Sequence, residues 1–428
     1  MALRSALVTA LTVTLVALEP GPAQADPDAR PGAESPAVVL EPSGRRPAVD
    51  EQEPPGPSEA VEPFGVGIAA TALTASNFRL RASSYSSLID DLDAALPNVS
   101  VSTVVADANR AATSCAPAAA HRLASFCWNS GDNNVGYWWP QGITTSADAY
   151  SAGTYEGKTV ILVSWHDDGS DGFDRGARVS FVNYASPSAP TYRHVLLVEP
   201  YRRSDGRVSF RPVKIHAGGI FWYGYYLYVA STDLGLRVFD LRHIWQTSTS
   251  NGQAIGWQPD GTYQAYGYKY VLPQVFTYAQ STVGGYPKLS FSFVSLDRTT
   301  TPDSIVVGEY GYPGTGTRLV RFEIDYTNRM LKTSSDGYAR AVEAYDVSVT
   351  SMQGATAING KFYLSTSDGS GNPGDLATFL PGGSVVMHYD TLPIGPEDVS
   401  YWGPKDQLWS VTEYPGSRSV FAVRASAY

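Results

Sequence analysis

The chain has 428 residues, with 31 Lys and Arg against 41 Asp and Glu, so its formal net charge is −10. Charged residues make up only 17%, while 27 Tyr, 9 Trp, 40 Gly and 29 Pro crowd the sequence. The aromatics exclude disorder throughout, and the Gly and Pro exclude a coiled coil. An acidic chain with no basic block excludes a nucleic-acid partner, which demands clustered Lys and Arg.

Residues 1–25 read as a signal peptide: Arg4 opens it, an apolar run spans 6–18, and Ala23-Gln24-Ala25 forms a small-x-small cleavage site. The run is too short to cross a bilayer, and no later segment is long and apolar enough, so no membrane span is expected. Residues 26–63 hold nine Pro, nine acids and three Arg, the composition of an extended linker. Residues 64–134 read as a closing region with short helices around one disulfide, Cys115–Cys127. The pair is isolated and close, as in an exported domain, and its Ala-rich surroundings suggest helix before and after the bridge.

From residue 135 onward, short aromatic and β-branched runs alternate with Gly, Pro, Asp and Ser, which is a strand signature. Five segments share a grammar of entry, strand, strand, loop and strand. Their inner strands begin at 138–144, 214–222, 287–294, 352–358 and 396–402, with Gly142, Gly219, Ser290, Gly354 and Asp398 at matching points. Short antiparallel strands repeated in this way predict an all-β fold, a β-propeller over residues 135–428. Five blades are expected, or six if 64–110 hide another. The fourth blade is expected to lack its outer strand, because the 44 residues from Gly354 to Asp398 are too few for four, with 384–390 read as the third. The fifth has only three strands, so 98–105 (NVSVSTVV) is expected to close the ring.

The pattern resembles secreted actinobacterial β-propellers, and the Q-G and H-A-G-G strand entries are similar to those of lectin-like and NHL-type propellers. Some actinobacterial propellers of this kind resemble the sugar-binding subunits of antibacterial toxin particles, which a linker would tether. The resemblance implies a secreted recognition domain that can serve as a component of a larger secreted assembly, and carries over no functional residue.

Propeller geometry brings two loop sets to one end of the ring. Entries to the inner strands carry Trp139, Gln141, His216, Lys288, Gln353, Glu397 and Asp398. Loops between second and third strands carry Trp165, His166, Asp168, Asp233, Glu309, Tyr310, Asp368, Glu413 and Tyr414. Aromatic planes beside carboxylates and amides suit a saccharide. Each residue also has a structural reading: repetition explains the two Glu-Tyr pairs, and Gln141, Gln353 and His216 can satisfy neighbouring backbone. The loop 166–174 spaces Asp167, Asp171 and Asp174 in the manner of a calcium loop, but Arg178 stands where the twelfth-position ligand of a helix-loop-helix site belongs. A solvated acidic turn is the simpler reading, with no cofactor assigned. The chain lacks G-x-S-x-G and H-E-x-x-H, so no catalytic residue is assigned.

The expected function is non-catalytic, lectin-like recognition of an extracellular glycan or glycosylated surface by a secreted monomer. The alternatives are a propeller-fold glycoside hydrolase or lyase, using two of Asp168, Glu309, Glu397 and Glu413, and a scaffold for a secreted protein partner.

Overall fold

The computed structural model describes residues 69–312 and 317–428. The signal peptide and linker expected over 1–63 lie outside them. The described chain is an all-β propeller, with 49% strand and 9% helix. None of its helices is long and apolar enough to cross a membrane.

The strand ladders group into antiparallel meanders of four. The first contains Trp138–Thr145, Val160–Asp167, Ala177–Asn183 and Thr191–Arg202. The second runs through Ile220–Tyr223, Tyr226–Ser231 and Gly235–Asp240 to the long strand Tyr270–Thr282. The third contains Phe293–Asp297, Ser304–Gly308, Arg318–Asp325 and Ala339–Asp346. The fourth contains Met352–Ile358, Lys361–Thr366, Pro373–Phe379 and Val386–Ile394. In the last, Ser400–Trp402, Gln407–Val411 and Ser419–Arg424 are joined by Arg122–Cys127 from the N-terminal region. The innermost strands touch in cyclic order, and the last one meets the first.

Several sequence expectations are corrected here. The ring is closed by Arg122–Cys127, not by 98–105, where Asn98–Val99 is a two-residue strand and Val101–Ala106 a helix. The propeller therefore draws on residues before 135. The stretch after the first cysteine is extended rather than helical. Alanine's helical preference is worth only tenths of a kcal/mol per residue, whereas residues 122–127 gain a full ladder with 419–423. The fourth meander does have an outer strand. Pro373–Phe379 is its third strand, so the segment expected as third pairs as the fourth, Val386–Ile394, with two register shifts around Gly374. The outer strand of the second meander, expected from sequence over 263–272, is Tyr270–Thr282, while Tyr263–Ala265 pairs with Ile255–Trp257 in a separate hairpin. The third inner strand starts at Phe293, so Ser290 lies in the loop before it.

Residues 69–127 form a belt around the outer edges of the ring. Ala69 bridges Ser384 of the fourth meander, and Thr71–Ala72 pairs with residues 345–346 of the third. Phe78–Ala82 then pairs with 278–282 of the second, Arg110–Ala111 with 191–192 of the first, and Arg122–Cys127 completes the last. The Cys115–Cys127 disulfide forms, with Cα atoms 5.7 Å apart, and ties the end of the closing strand to the belt before it.

The glycines of the strand entries have a steric cause. A Cβ on Gly219 would lie 2.3 Å from the Val294 backbone nitrogen, and one on Gly354 would lie 2.6 Å from the Asp398 Cα. Near the axis the inner strands approach backbone to backbone, and only glycine fits between them.

Candidate functional site

Register decides which end of the ring each loop occupies. Trp139 pairs with His166 and Pro140 with Trp165, while Pro396 bridges Thr412. The entry of an inner strand therefore lies beside the exit of its second strand, and both loop sets share one end.

Strand alternation then sorts the side chains. Trp138 is buried and Trp139 half-exposed; Trp165 is buried and His166 half-exposed. The expectation that Trp165 offers a stacking plane is corrected. Its ring meets Trp128 edge-on at 4.9 Å, and its Nε1 donates to Ser180 Oγ at 2.8 Å, so no face remains for a ligand.

A cluster does assemble where the first and last meanders meet. The rings of Trp139 and Tyr414 stand at 89°, with centroids 6.3 Å apart. Trp139 Nε1 donates to Asp168 Oδ2 at 2.9 Å, and Gln141 Nε2 donates to Glu413 Oε2 at 3.3 Å. His166 lies against His216, with ring centroids 4.3 Å apart. The Tyr414 phenol hydrogen-bonds Ser367 and Glu413, and Glu397 adds its charge nearby. Burial and those two carboxylates push the phenol well above its ordinary range, so it remains a neutral hydrogen-bonding group.

Arg418, absent from the sequence-derived candidates, underlies this cluster. It is buried, with Nε donating to the Glu413 carbonyl at 2.6 Å and Nη1 donating to the carbonyls of Asp132 and Val135, each at 2.8 Å. Its guanidinium carbon lies 5.5 Å from the Trp139 ring centroid, and its Nη2 has no hydrogen-bond partner. Burial, with Arg178 nearby, lowers its pKa to about 10. His166 Nδ1 is likewise unpartnered. Burial and His216 hold the His166 imidazole well below its ordinary pKa, so it is neutral near pH 7. No signal in the sequence marks Arg418 apart from the other arginines.

Other candidates lie at the same end but are committed elsewhere. Glu309 is buried and held by Arg318, whose Nε and Nη2 each donate to it at 2.6 Å. Tyr310 packs against Tyr312 with centroids 5.2 Å apart. Asp233 is exposed in its turn and Gln353 is half-buried. Asp398 is fully buried near the axis, where its Oδ2 accepts from the backbone of Ile143 at 3.2 Å and Ile220 at 3.1 Å. It joins three meanders, and burial pushes its carboxyl well above the ordinary range. Glu397 is also buried, so ligand access to these two acids is corrected.

The calcium reading is corrected as well. Arg175 Nη1 donates to Asp167 at 2.7 Å, Arg175 Nη2 donates to Asp171 at 2.8 Å, and Lys214 pairs with Asp174 at 2.9 Å. Cations of the chain already neutralise the loop. Among the described residues no cluster of three His, Cys, Asp or Glu could hold a metal.

Asp368 is exposed, and its charge raises the pKa of Asp375 in the neighbouring strand. Burial first, then the Asp368 and Asp390 carboxylates, push Asp375 up to about 6, against a donated Asp390 N–H. A raised carboxyl favours the folded state most below its unfolded pKa and loses that contribution as pH rises through about 6. Asp375→Asn should therefore flatten the fall in melting temperature between pH 4 and 6.5, with a gain of about 1 kcal/mol at pH 7 after solvent screening. Parallel melting curves for the two proteins across that range would contradict it.

A serine–histidine–aspartate line also exists, and it is not a nucleophile site. Ser180 Oγ lies 2.9 Å from His194 Nδ1, and His194 Nε2 lies 2.9 Å from Asp132 Oδ1. All three are buried, and the Ser180 oxygen already accepts from Trp165. Burial and nearby Arg178 lower the imidazole to about 3, so it stays neutral.

No protein-family model matches the chain, and no curated protein does. Among solved structures it is similar to the β-propeller domain of Cps50 (Swd1) from Myceliophteria thermophila, at 9% identity and a TM-score of 0.32. That match covers 68% of this chain and 97% of the other. It is also similar to the GH43_1 enzyme from Xanthomonas citri complexed with xylotriose, at 10% identity and a TM-score of 0.29, over 79% of this chain and 92% of that one. A glucose dehydrogenase matches at 10% identity and a TM-score of 0.28, over 61% and 78%. At such distances these likenesses carry no chemistry to this chain.

Proposed function

We propose that the protein is a secreted, non-catalytic recognition module whose candidate face binds extracellular carbohydrate. The observation that carries this reading is the orthogonal Trp139–Tyr414 pair with its polar fringe of Asp168, Gln141 and Glu413. A pyranose presents an apolar C–H face and a rim of hydroxyls. An aromatic plane suits the first, and carboxylate and amide groups suit the second. The disulfide agrees with an oxidising, extracellular setting.

The catalytic alternative draws on Asp168 and Glu413, the carboxylates of the cluster that are not fully buried. A glycan array on the mature protein, followed by calorimetry on the best ligand, tests the proposal. Trp139→Ala and Tyr414→Ala should each weaken binding by about 2 kcal/mol, roughly thirtyfold. Glu413→Gln should weaken it less, because the amide keeps an acceptor. Turnover of the same glycan that vanishes in Asp168→Asn or Glu413→Gln would instead establish the enzyme. Unchanged binding in both aromatic variants would show that this face is not the site.

A further inference from the structure

The belt covers the outer edges of the ring unevenly. It pairs as a strand with the outer strands of the first, second and third meanders and supplies the outer strand of the last. The fourth is the exception. Among the described residues, the backbone of its outer strand, Val386–Ile394, meets the belt only near its two ends. Ala69 bridges Ser384 at one end, and the Ala120 N–H donates to the Thr391 carbonyl at 2.9 Å at the other. The open stretch between them is apolar. Tyr389 is the most exposed large hydrophobic side chain of the described residues, at 70%, and Val386 stands at 52%. An open apolar strand edge is a template for another strand.

Direction and register say which strand lies along it. Ala69 and Ser384 pair antiparallel, so each step back along the chain from 69 is a step forward along the edge from 384. Ile68 then falls opposite Val385, Gly67 opposite Val386, Val66 opposite Met387, Gly65 opposite His388 and Phe64 opposite Tyr389. Residues 64–68 lie outside the described residues. Their sequence, Phe-Gly-Val-Gly-Ile, alternates apolar residues with glycine, the pattern of a strand with one face buried. The phase fits the edge. Val385 and Met387 pack in the core cluster that Ala70 also joins, and alternation puts Ile68 and Val66 on that same side. The glycines fall on the other side, where the His388 ring packs against Tyr428 with centroids 5.2 Å apart. A register one residue off would turn the glycines to the core.

We infer that residues 64–68 add as a fifth strand to the outer edge of the fourth meander, antiparallel to 385–389, and extend the belt by five residues. Phe64 covers Tyr389, and the outward backbone groups of the edge gain partners. Each of the five outer edges then carries a belt strand, which denies a second copy of the chain the edge-to-edge pairing that an open strand invites. None of these residues belongs to the axis cluster, so the inference is independent of the glycan reading.

Hydrogen exchange on the full mature protein reads the pairing. The outward-facing amides of 385–389 should exchange about tenfold or more slowly in the wild type than in the double variant Phe64→Asp, Val66→Asp. A cysteine pair reads the register without relying on that variant to fold. Gly67→Cys combined with Val386→Cys places two thiols directly opposite each other, within bridging range, and should form a second disulfide. Val66→Cys combined with Val386→Cys places them on opposite faces and should not. Peptide mass mapping separates the new bond from Cys115–Cys127. Equal exchange in the wild type and the aspartate variant would overturn the inference. So would protection that grows with protein concentration, as pairing with a second copy would give. Failure of the Gly67–Val386 pair to bridge, or equal bridging by both cysteine pairs, would overturn it too.

Discussion

Asp132→Ala should lower the unfolding free energy by about 3–5 kcal/mol, the usual cost of leaving buried charge without its partner. The Asp132 carboxylate is buried in the short helix Ser130–Asn134, where three groups hydrogen-bond to it and Arg110 forms an ion pair with it. Arg178 Nη2 lies at 3.0 Å, Arg110 Nε at 3.1 Å, His194 Nε2 at 2.9 Å and the Tyr192 hydroxyl at 2.7 Å. Burial opposes its charge, but His194, Arg178 and Arg110 together hold the carboxyl well below the ordinary range. A depressed carboxyl contributes stability above its unfolded pKa and loses it as pH falls below that value. Wild-type stability should therefore drop on acidification, from about pH 4 downward, more steeply than that of Asp132→Ala. Denaturant unfolding at pH 7 and pH 3 measures both effects, and a loss under about 1 kcal/mol at pH 7 would refute the assignment. Because Arg418 also donates to the Asp132 carbonyl, a shift of this helix should disturb the floor beneath Trp139 and weaken ligand binding with it.

Gly219→Ala should cost about 3 kcal/mol or more, at the upper end of overpacking penalties. The added methyl would sit 2.3 Å from the Val294 nitrogen and 2.6 Å from the Phe293 Cα. Those are backbone atoms of the adjacent inner strand, so relief requires two meanders to separate. Gly136→Ala is the control, since a Cβ there meets nothing within 4 Å. It should change stability by no more than about 0.5 kcal/mol. Equal melting temperatures for the two variants would remove the steric account of the repeat.

Those glycines are also why the repeat was legible. Strand entries must approach one another near the axis, so the same constraint recurs in each meander and marks the sequence at Gly142, Gly219 and Gly354. The third entry carries no such mark at the expected place: Ser290 lies in a loop, and Gly219 packs instead against Phe293 and Val294. Pro373–Phe379 was hidden for the opposite reason. Its opening Pro-Gly-Asp favours a turn locally, and only the pairing with Lys361–Thr366 and Val386–Ile394 makes it a strand.

The candidate site was readable in part. Trp139, Gln141, His166, Asp168, Glu413 and Tyr414 lie on repeated loops whose common end follows from strand direction, and hydrogen bonds and ring contacts join them. Trp165 was misplaced because its neighbour His166 takes the exposed side of the same strand, and one residue of phase reverses burial.

Composition and periodicity determined what depends on neighbours in the chain: the all-β class, the meander repeat, and the end of the ring that gathers the loops. The disulfide, too, was set by an isolated pair at short spacing. Tertiary structure alone decided what depends on residues far apart. Arg122–Cys127 became a strand because Ser419–Arg424 presented an open edge, and the Arg175 clasp on Asp167 and Asp171 displaced any metal reading. Arg418 came under Trp139 because residues 283 and 286 positions away supply the carbonyls it needs. Local sequence sets propensities worth tenths of a kcal/mol, and long-range pairing and buried charge, worth several, settle the outcome.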